Sequence, residues 1–356
     1  MPAVVGELGM GTGSVGTVMM GMAIGAFISF PIAGRLIDTI GSGRTTLAFG
    51  LLFFSALPLL GLMPSAWALM LGLVVFGIGN GGLDLAMNAQ GIEIEVRARR
   101  SIINSLHGFF SLGGFVGAGI GAFMAWQGIE PLGHFSMLAI LNVAGLLYLQ
   151  RFLVPDSSGN KSDEPAPIFS FPHRSLWILG LIALCTAVGE GAMNSWSALY
   201  LNSHLGTTEQ FAALGYATFS LAMLTGRFQG DRFVRLWGPA KLIRRSGSLA
   251  AIGLGIATFI DQPWSMMAGF VAVGIGLSVV YPLVFSAAGN HPTLPRGRAV
   301  AGTSTVGYTG FLPGPTVLGW IAEGTSMQSI MIIVTILCVI AAILAPATEK
   351  FRRTTA

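Results

Sequence analysis

Eleven long apolar runs recur along the chain, and their length limits the possible folds more than any other feature. A helix needs about 20 apolar residues to cross a bilayer core that is about 30 Å thick. The sequence is 53% hydrophobic and only 10% charged, whereas soluble domains are about 25% charged. These observations predict an all-α membrane protein. The runs are 14–37, 44–63, 66–90, 103–127, 131–153, 175–201, 208–233, 240–260, 264–289, 298–322 and 326–346.

The links between the runs alternate in charge. One set holds all 19 Lys and Arg, once Arg35 and Arg151 are assigned to the ends that they adjoin. The positive-inside rule places this set in the cytoplasm, so we expect a multi-pass protein of the bacterial inner membrane with a cytoplasmic C-terminus. The basic set is 38–44, 91–102, 154–174, 227–245, 290–298 and the tail 347–356, and the other links lie near 64, 128, 202–209, 261 and 323.

A polar segment at 154–174 interrupts the apolar runs. It contains Ser-Ser-Gly-Asn-Lys-Ser-Asp-Glu-Pro-Ala-Pro, which has no apolar periodicity and is typical of a flexible linker. The predicted domains are therefore a helical bundle at 1–153, a cytoplasmic linker at 154–174, a second bundle at 175–346 and a cytoplasmic tail at 347–356.

The two bundles contain an internal repeat. The first run ends in Gly34-Arg-Leu-Ile-Asp38-Thr-Ile-Gly41-Ser-Gly-Arg44, and the second half contains Gly226-Arg227-Phe-Gln-Gly-Asp231-Arg-Phe-Val-Arg235-Leu-Trp-Gly238. Aligning Gly41 with Gly238 gives an offset of 238 − 41 = 197 residues. Arg235 then occupies the position of Asp38, and Asp231 lies one helical turn earlier. The sixth run, moved back by 197, would start upstream of Met1, so we predict a twelve-helix plan without its first helix, through a misassigned start or a truncation.

These segments resemble a known transporter family. The Gly-x-Leu-x-Asp-x-x-Gly-x-x-Arg pattern of the first link resembles the loop motif of the major facilitator superfamily. Leu83-Asp84-Leu-Ala-Met-Asn88 and Asn104-Ser-Leu-His107 resemble the helix 4–helix 5 region of fucose-permease-like carriers, with Asp in place of Glu and His in place of Gln. The resemblance covers the chain except helix 1. It implies two pseudo-symmetric bundles with eleven transmembrane helices, helices 2–12 of the plan, that rock around a site at mid-membrane.

The loop motif and its second copy supply the candidate gating residues. Gly34 lets two helices approach closely, and Asp38 either pairs with Arg44 or caps a neighbouring helix. In the second copy the i, i+4, i+8 spacing favours a chain of ion pairs. These residues either hold the cytoplasmic face closed or only fix topology and helix ends. The set is Gly34, Asp38, Gly41, Arg44, Arg227, Asp231 and Arg235.

Three titratable residues are candidates for proton coupling. Asp84 lies within an apolar run, where an acidic side chain costs about 2.5–3.5 kcal/mol. In the resembling carriers the helix 4 carboxylate takes part in proton coupling; the alternative is a structural hydrogen bond between helices. Glu190 is also mid-helix, with Asn194 and Ser197 at i+4 and i+7. His107 either relays protons or satisfies a hydrogen bond.

Amides and aromatic side chains near these groups are candidates for substrate binding. Asn80 and Asn88 share a helix face with Asp84. Tyr281 is the partner of Asp84 at 84 + 197, and Pro282 beside it favours a helix break. Trp196 either stacks on a sugar face or anchors its helix at the membrane interface. The full set is Asn80, Asn88, Asn104, Asn194, Trp196, Tyr281 and Tyr308; for Asn104, Tyr308 and the further candidate Thr305, helix packing is the alternative.

Two glycine-rich patterns do not indicate nucleotide binding. Gly11-Thr-Gly-Ser-Val-Gly16 matches a dinucleotide pattern, but no strand precedes it. The segment Gly307–Pro315 holds no phosphate-binding Lys and predicts a helix bend. Cys185 and Cys338 lie in apolar runs, and no catalytic set or metal spacing occurs. We therefore expect neither an enzyme nor a cofactor or metal.

The sequence thus predicts a secondary transporter that works by alternating access. In this interpretation no Lys or Arg lies deep in a helix, which favours a neutral sugar or polyol moved with a proton. The alternatives are a proton-antiport exporter of cationic amphiphiles and a non-transporting sensor or scaffold. The expected partners are the solute, protons and lipid, without nucleic acid, and we expect a monomer.

Overall fold

The computed structural model describes residues 12–156, 173–311 and 314–351, and this part of the chain is helical without a strand. The all-α prediction is confirmed. The α-helices are α1 (Thr12–Ile40), α2 (Ser42–Ala56), α3 (Ala66–Ala98), α4 (Ile103–Trp126), α5 (Pro131–Leu149), α6 (Trp177–Leu199), α7 (Glu209–Trp237), α8 (Pro239–Ile260), α9 (Pro263–Leu277), α10 (Val280–Gly289), α11 (Arg296–Phe311), α12 (Gly314–Gly324) and α13 (Gln328–Leu344).

The helices follow the predicted runs, with two kinds of difference. The run 264–289 forms two helices, because α9 ends at Leu277 before α10 begins at Val280. Pro282 lacks the N–H that would bond to residue 278, which accounts for this break. The described part of the run 298–322 comprises α11, up to Phe311, and α12, from Gly314. Pro313 lies outside the described residues, as do Gly11 and residues 157–172 of the predicted linker.

The second difference is that two basic links are largely helical. Helix α3 continues to Ala98 and α7 to Trp237, so the predicted links 91–102 and 227–245 are much shorter than expected. A membrane helix can continue through polar residues once it has left the apolar core of the bilayer, because its backbone hydrogen bonds are still made within the helix.

Gly41 and Gly238 mark equivalent turns. Each lies one residue before a helix, and their φ angles are +93° and +76°. Glycine adopts this conformation without a Cβ clash. The two turns therefore agree with the repeat offset of 197 residues at this point of the chain.

The chain divides into two compact units. Unit 1 contains Met1–Arg97, Gly113–Phe171 and Leu294–Gly302, and unit 2 contains Ala98–Leu112, Pro172–Thr293 and Thr303–Ala356. Each unit thus includes a short segment from the other half of the sequence. The start of α11 belongs to unit 1, and the start of α4 belongs to unit 2.

Seven stretches of the described residues are long and apolar enough to cross a membrane. They are Met20–Ile40, Ser42–Gly61, Ala66–Ala98, Pro131–Phe152, Arg174–His204, Pro263–Gly289 and Gln328–Glu349.

Candidate functional site

Asp38 caps the first turn of α11 within unit 1. Its carboxylate accepts hydrogen bonds from the backbone N–H groups of Gly297 (2.8 Å) and Arg298 (3.2 Å). The Arg298 Nε lies 3.8 Å from the same carboxylate. Free N–H groups and the helix dipole favour an anion at this end of a helix. Of the two predicted roles for Asp38, the structure shows capping, whereas Arg44 is exposed.

Gly34 allows α1 and the start of α11 to approach closely. A Cβ atom at Gly34 would lie 2.8 Å from the Ala301 Cβ and 3.1 Å from the Gly297 carbonyl oxygen. A larger residue here would separate the two backbones, and the Asp38 carboxylate would lose its contacts with the helix start.

Asp231 caps the first turn of α4 within unit 2. Five donors from three residues surround its carboxylate. They are the Ser101 hydroxyl (3.0 Å), the Asn104 backbone N–H (3.1 Å) and side-chain amide (2.9 Å), and the Ser105 backbone N–H (2.9 Å) and hydroxyl (2.5 Å). Asn104, a predicted substrate ligand, therefore contributes to this cap.

The two caps are related by an offset of 193 residues. This offset links the carboxylates (231 − 38 = 193) and the first capped residues (297 − 104 = 193). Asp231 therefore takes the role of Asp38, although the sequence alignment places Arg235 at that position. Arg235 is exposed. The predicted ion pairs among Arg227, Asp231 and Arg235 are absent from the described residues, because the Asp231 carboxylate is occupied by helix N–H groups and neutral side chains.

Glu93, which the sequence interpretation did not single out, holds two guanidinium groups in unit 1. Its side chain is fully buried, with Oε1 2.9 Å from the Arg97 Nε and Oε2 2.6 Å from the Arg296 Nη1. Arg296 is the first residue of α11. The i, i+4 spacing of Glu93 and Arg97 was the only signal available in the sequence.

Asp156 anchors the start of α2 in the same unit. Its carboxylate accepts from the backbone N–H (2.5 Å) and the hydroxyl (2.5 Å) of Ser42. Gln90 on α3 donates to the Ser42 hydroxyl (2.7 Å) and accepts from the Val154 N–H (2.7 Å). A Cβ at Gly41 would lie 2.5 Å from the Asp156 carboxylate, so glycine leaves room for this contact.

Arg227 lies inside a helix rather than in a link. It precedes the last residue of α7 by 237 − 227 = 10 residues, or about 15 Å, and only 8% of its surface is exposed. The expectation that no cation lies deep in a helix is therefore wrong. It failed because residues from 227 onward were assigned to a basic link, although the apolar run 208–233 includes Arg227 and the helix continues to Trp237.

The predicted coupling residues Glu190 and His107 meet at Arg227 within unit 2. The Arg227 Nη2 lies 3.6 Å from the Glu190 Oε1, and Nη1 donates to the Ser111 hydroxyl. His107, one turn before Ser111 on α4, interacts electrostatically with Arg227 and Asp231. The Arg227 side chain therefore connects α4, α6 and α7 at one point.

Asp84 lies half-buried on α3 in unit 1. The Asn88 side-chain amide donates to the Asp84 backbone carbonyl (2.8 Å) and to its carboxylate (3.3 Å). The predicted polar face is thus present, and Asn88 is buried. Asn80 lies one turn earlier and is partly buried.

The other predicted ligands lie on helices of unit 2. Asn194 is exposed on α6, while the Trp196 indole N–H is buried without a hydrogen-bond partner among the described residues. Tyr281 packs edge-on against Phe285. Tyr308 is partly buried on α11.

A family profile matches the sequence of this chain. The profile of the Major Facilitator Superfamily matches residues 1–292 and 179–354, which together cover almost the whole chain. The chain belongs to the Major Facilitator Superfamily. It is therefore a multi-pass membrane transporter of small solutes rather than an enzyme.

Two bacterial relatives of this superfamily are similar along most of their length. An uncharacterised MFS-type transporter of Yersinia pestis is 34% identical over 92% of this chain and 85% of its own. An uncharacterised transporter of Sinorhizobium fredii, y4wD, is 33% identical over 98% of this chain and 93% of its own.

The fold is also similar to a solved member of the superfamily. The transporter FucP in an outward conformation matches with a TM-score of 0.79 and 16% identity, over 99% of this chain and 94% of FucP. FucP is the E. coli fucose:proton symporter. At this identity the likeness establishes the fold.

Proposed function

We propose that this chain is a proton-coupled secondary transporter that moves a small solute by alternating access. The observation that carries the proposal is the Asp84 carboxylate, which is half-buried on a membrane-spanning helix beside the amide of Asn88. In a low-dielectric setting the neutral form of a carboxyl group is favoured, so its protonation depends on which side water can enter.

Coupling follows from thermodynamic linkage. If protonation of Asp84 favours one access state, that state must bind the proton more tightly. The solute shifts the same equilibrium when it binds one state better than the other. Proton and solute then move together without direct contact between them.

The caps at Asp38 and Asp231 would serve as the releasable contacts of this cycle. Each joins a helix from one half of the sequence to the first turn of a helix from the other half. Such contacts stabilise one access state and are lost in the other. This supports the gating role predicted for Gly34, Asp38 and Asp231.

The solute in this proposal is a polyhydroxylated compound of the sugar or polyol class. The amides of Asn80, Asn88 and Asn194 and the unpartnered indole N–H of Trp196 suit hydroxyl groups. Similarity to FucP, a fucose:proton symporter, supports the same class. The proposal further includes eleven spanning segments, a cytoplasmic C-terminus, an inner-membrane location and a monomeric state.

The proposal is tested by measuring solute transport by the Asp84→Asn variant in proteoliposomes. A panel of labelled sugars and polyols is first screened for uptake by the wild type under an imposed pH gradient. Asn imitates the protonated carboxyl group but cannot titrate, so the variant should lose accumulation against a gradient and retain counterflow exchange. The exposed Glu323→Gln is the matched control and should keep both activities. Full accumulation by Asp84→Asn would assign Asp84 a structural role.

A further inference from the structure

Arg227 is a buried cation whose hydrogen-bonding capacity is only partly used. A guanidinium group has five N–H donors. One nitrogen, Nη1, donates to the Ser111 hydroxyl, whereas the buried Nε has no partner among the described residues. The remaining Nη2 lies 3.6 Å from the Glu190 carboxylate, which is beyond normal hydrogen-bond length.

The Glu190 carboxylate is more accessible than the cation that it neutralises. Its side chain is 27% exposed, against 9% for Arg227. The pair therefore places an open carboxylate beside a buried guanidinium group, with one N–H of that group unused. A carboxylate binds a guanidinium group best through two parallel N–H···O bonds, and Glu190 does not make them.

Two other buried carboxylates among the described residues, Glu93 and Asp231, are fully engaged by comparison. Glu93 is completely buried and holds Arg97 and Arg296 at 2.9 and 2.6 Å. The Asp231 carboxylate accepts from five donors. Against these contacts, the Glu190–Arg227 pair is loose and can exchange its anion.

We infer that Arg227 binds a carboxylate group of the transported solute, and that Glu190 is the resident counter-ion that the solute replaces. The inference rests on the proposed function and narrows its solute from a sugar or polyol to a hydroxylated carboxylate, such as a sugar acid. The carboxylate would use Nε and Nη2 of Arg227.

The exchange couples one proton to one anion. Glu190 takes up a proton and becomes neutral, and the solute carboxylate then pairs with Arg227, so the charge of the site does not change. An unpaired buried cation is unfavourable, so neither step is favourable alone. Glu190 faces Arg227 on α7, and Arg227 in turn faces His107 on α4, with Asp231 one turn further along α7.

The test uses acetate as the probe, with acetamide as its neutral counterpart of equal size. Glu190→Ala removes the resident carboxylate and leaves Arg227 in place. In purified protein at constant ionic strength, acetate should raise the unfolding midpoint of this variant and acetamide should not. Adding Arg227→Gln should weaken the apparent affinity for acetate by at least about tenfold. Adding Arg232→Gln, an exposed residue of the same helix, should leave it unchanged.

Glu190→Gln, which fills the original volume, serves the same purpose if the Ala variant does not fold. Equal responses to acetate and acetamide, or an acetate response that survives Arg227→Gln, would overturn the inference. So would the absence of any acetate response.

Proton uptake tests the exchange directly. At about pH 7, adding acetate to the wild type in weak buffer should draw protons from solution, and the Glu190→Gln variant should show no such uptake. Binding without proton uptake in the wild type would contradict the exchange. If acetate has no effect while proton-driven sugar transport persists, only the inference fails. If acetate binds at Arg227 but no solute is moved, the proposed function fails instead.

Discussion

The caps at Asp38 and Asp231 use different chemistry at equivalent positions of the two units. In unit 1 the carboxylate binds two backbone N–H groups, and a guanidinium group lies 3.8 Å away. Glu93 adds a second ionic contact to the same helix start through Arg296. In unit 2 the donors are backbone N–H groups, two hydroxyls and an amide, all of them neutral.

The comparison separates what the repeat keeps from what it varies. A carboxylate at a helix N-terminus occurs in both units, because free N–H groups and the helix dipole are present whatever the side chains are. The supporting donors differ between the two caps. The capping carboxylate also lies one helical turn further from the following glycine in unit 2 (Asp231 and Gly238) than in unit 1 (Asp38 and Gly41). The stabilisation by the Asp38 cap should therefore depend on salt concentration, whereas that by the Asp231 cap should not.

A second difference concerns the glycines of α4 and α11. Gly117 and Gly310 are related by the same offset, since 310 − 117 = 193. A Cβ at Gly310 would lie 2.8 Å from side-chain atoms of Leu184 and Val188 on α6. A Cβ at Gly117 would meet no atom of the described residues within 4 Å. Both copies of the repeat thus have a glycine at this position. Only Gly310, in unit 2, packs closely against a neighbouring helix of the described residues.

The largest effect is expected from Gly310→Leu. The added side chain would overpack the α6–α11 contact and cost about 1–3 kcal/mol or more. Gly117→Leu in the 356-residue chain should change the unfolding midpoint little. Thermal unfolding of the two variants in one detergent decides the point. Equal destabilisation would mean that Gly117 packs as tightly as Gly310 and would contradict this difference between the units.

Asp231→Ala is expected to be the next most destabilising change. It leaves buried backbone and side-chain donors of α4 without an acceptor, at about 1–3 kcal/mol for an unsatisfied buried group. Asp231→Asn keeps one acceptor oxygen and should lose less. We expect the Ala variant to have the lowest unfolding midpoint, the Asn variant an intermediate one and the wild type the highest. An Asn variant less stable than the Ala variant would contradict the cap.

Asp38→Ala should cost less than Asp231→Ala, and its cost should depend on salt. At low ionic strength it removes a cap and an ion pair, together worth about 1–2 kcal/mol. Raising the salt concentration screens the ionic part, so the difference from wild type should shrink. The cost of Asp231→Ala should stay constant over the same range. Salt titration of both unfolding midpoints provides the measurement, and identical salt responses would remove the distinction between the caps.

The smallest effect is expected from the exposed basic residues of the two motif copies. Arg44→Gln and Arg235→Gln should leave the unfolding midpoint unchanged, because both side chains are exposed and neither forms an ion pair among the described residues. Destabilisation by Arg235→Gln comparable to that of Asp231→Ala would restore the alignment at an offset of 197 as the functional one.

The sequence was most informative where the contacts are local. Apolar length predicted the helices, and i, i+4 spacing predicted that Asp84 and Asn88 share a helix face, because a helix brings these residues together by its own geometry. It could not show that Asp231 performs the capping role, since a shift of one turn keeps the same helix face. It also missed the partner of Glu93, because Arg296 lies 203 residues away and only the tertiary fold joins them.

Hydrogen–deuterium exchange at the two helix starts tests the central claim, that each carboxylate holds one first turn. Mass spectrometry of peptides covering 103–107 and 296–300 would be compared in wild type, Asp38→Ala and Asp231→Ala. Asp38→Ala should accelerate exchange at 296–300 and leave 103–107 unchanged, and Asp231→Ala should do the reverse, because each variant frees N–H groups at one helix start only. Unchanged exchange in both variants, or equal acceleration at both helix starts by either one, would contradict the account.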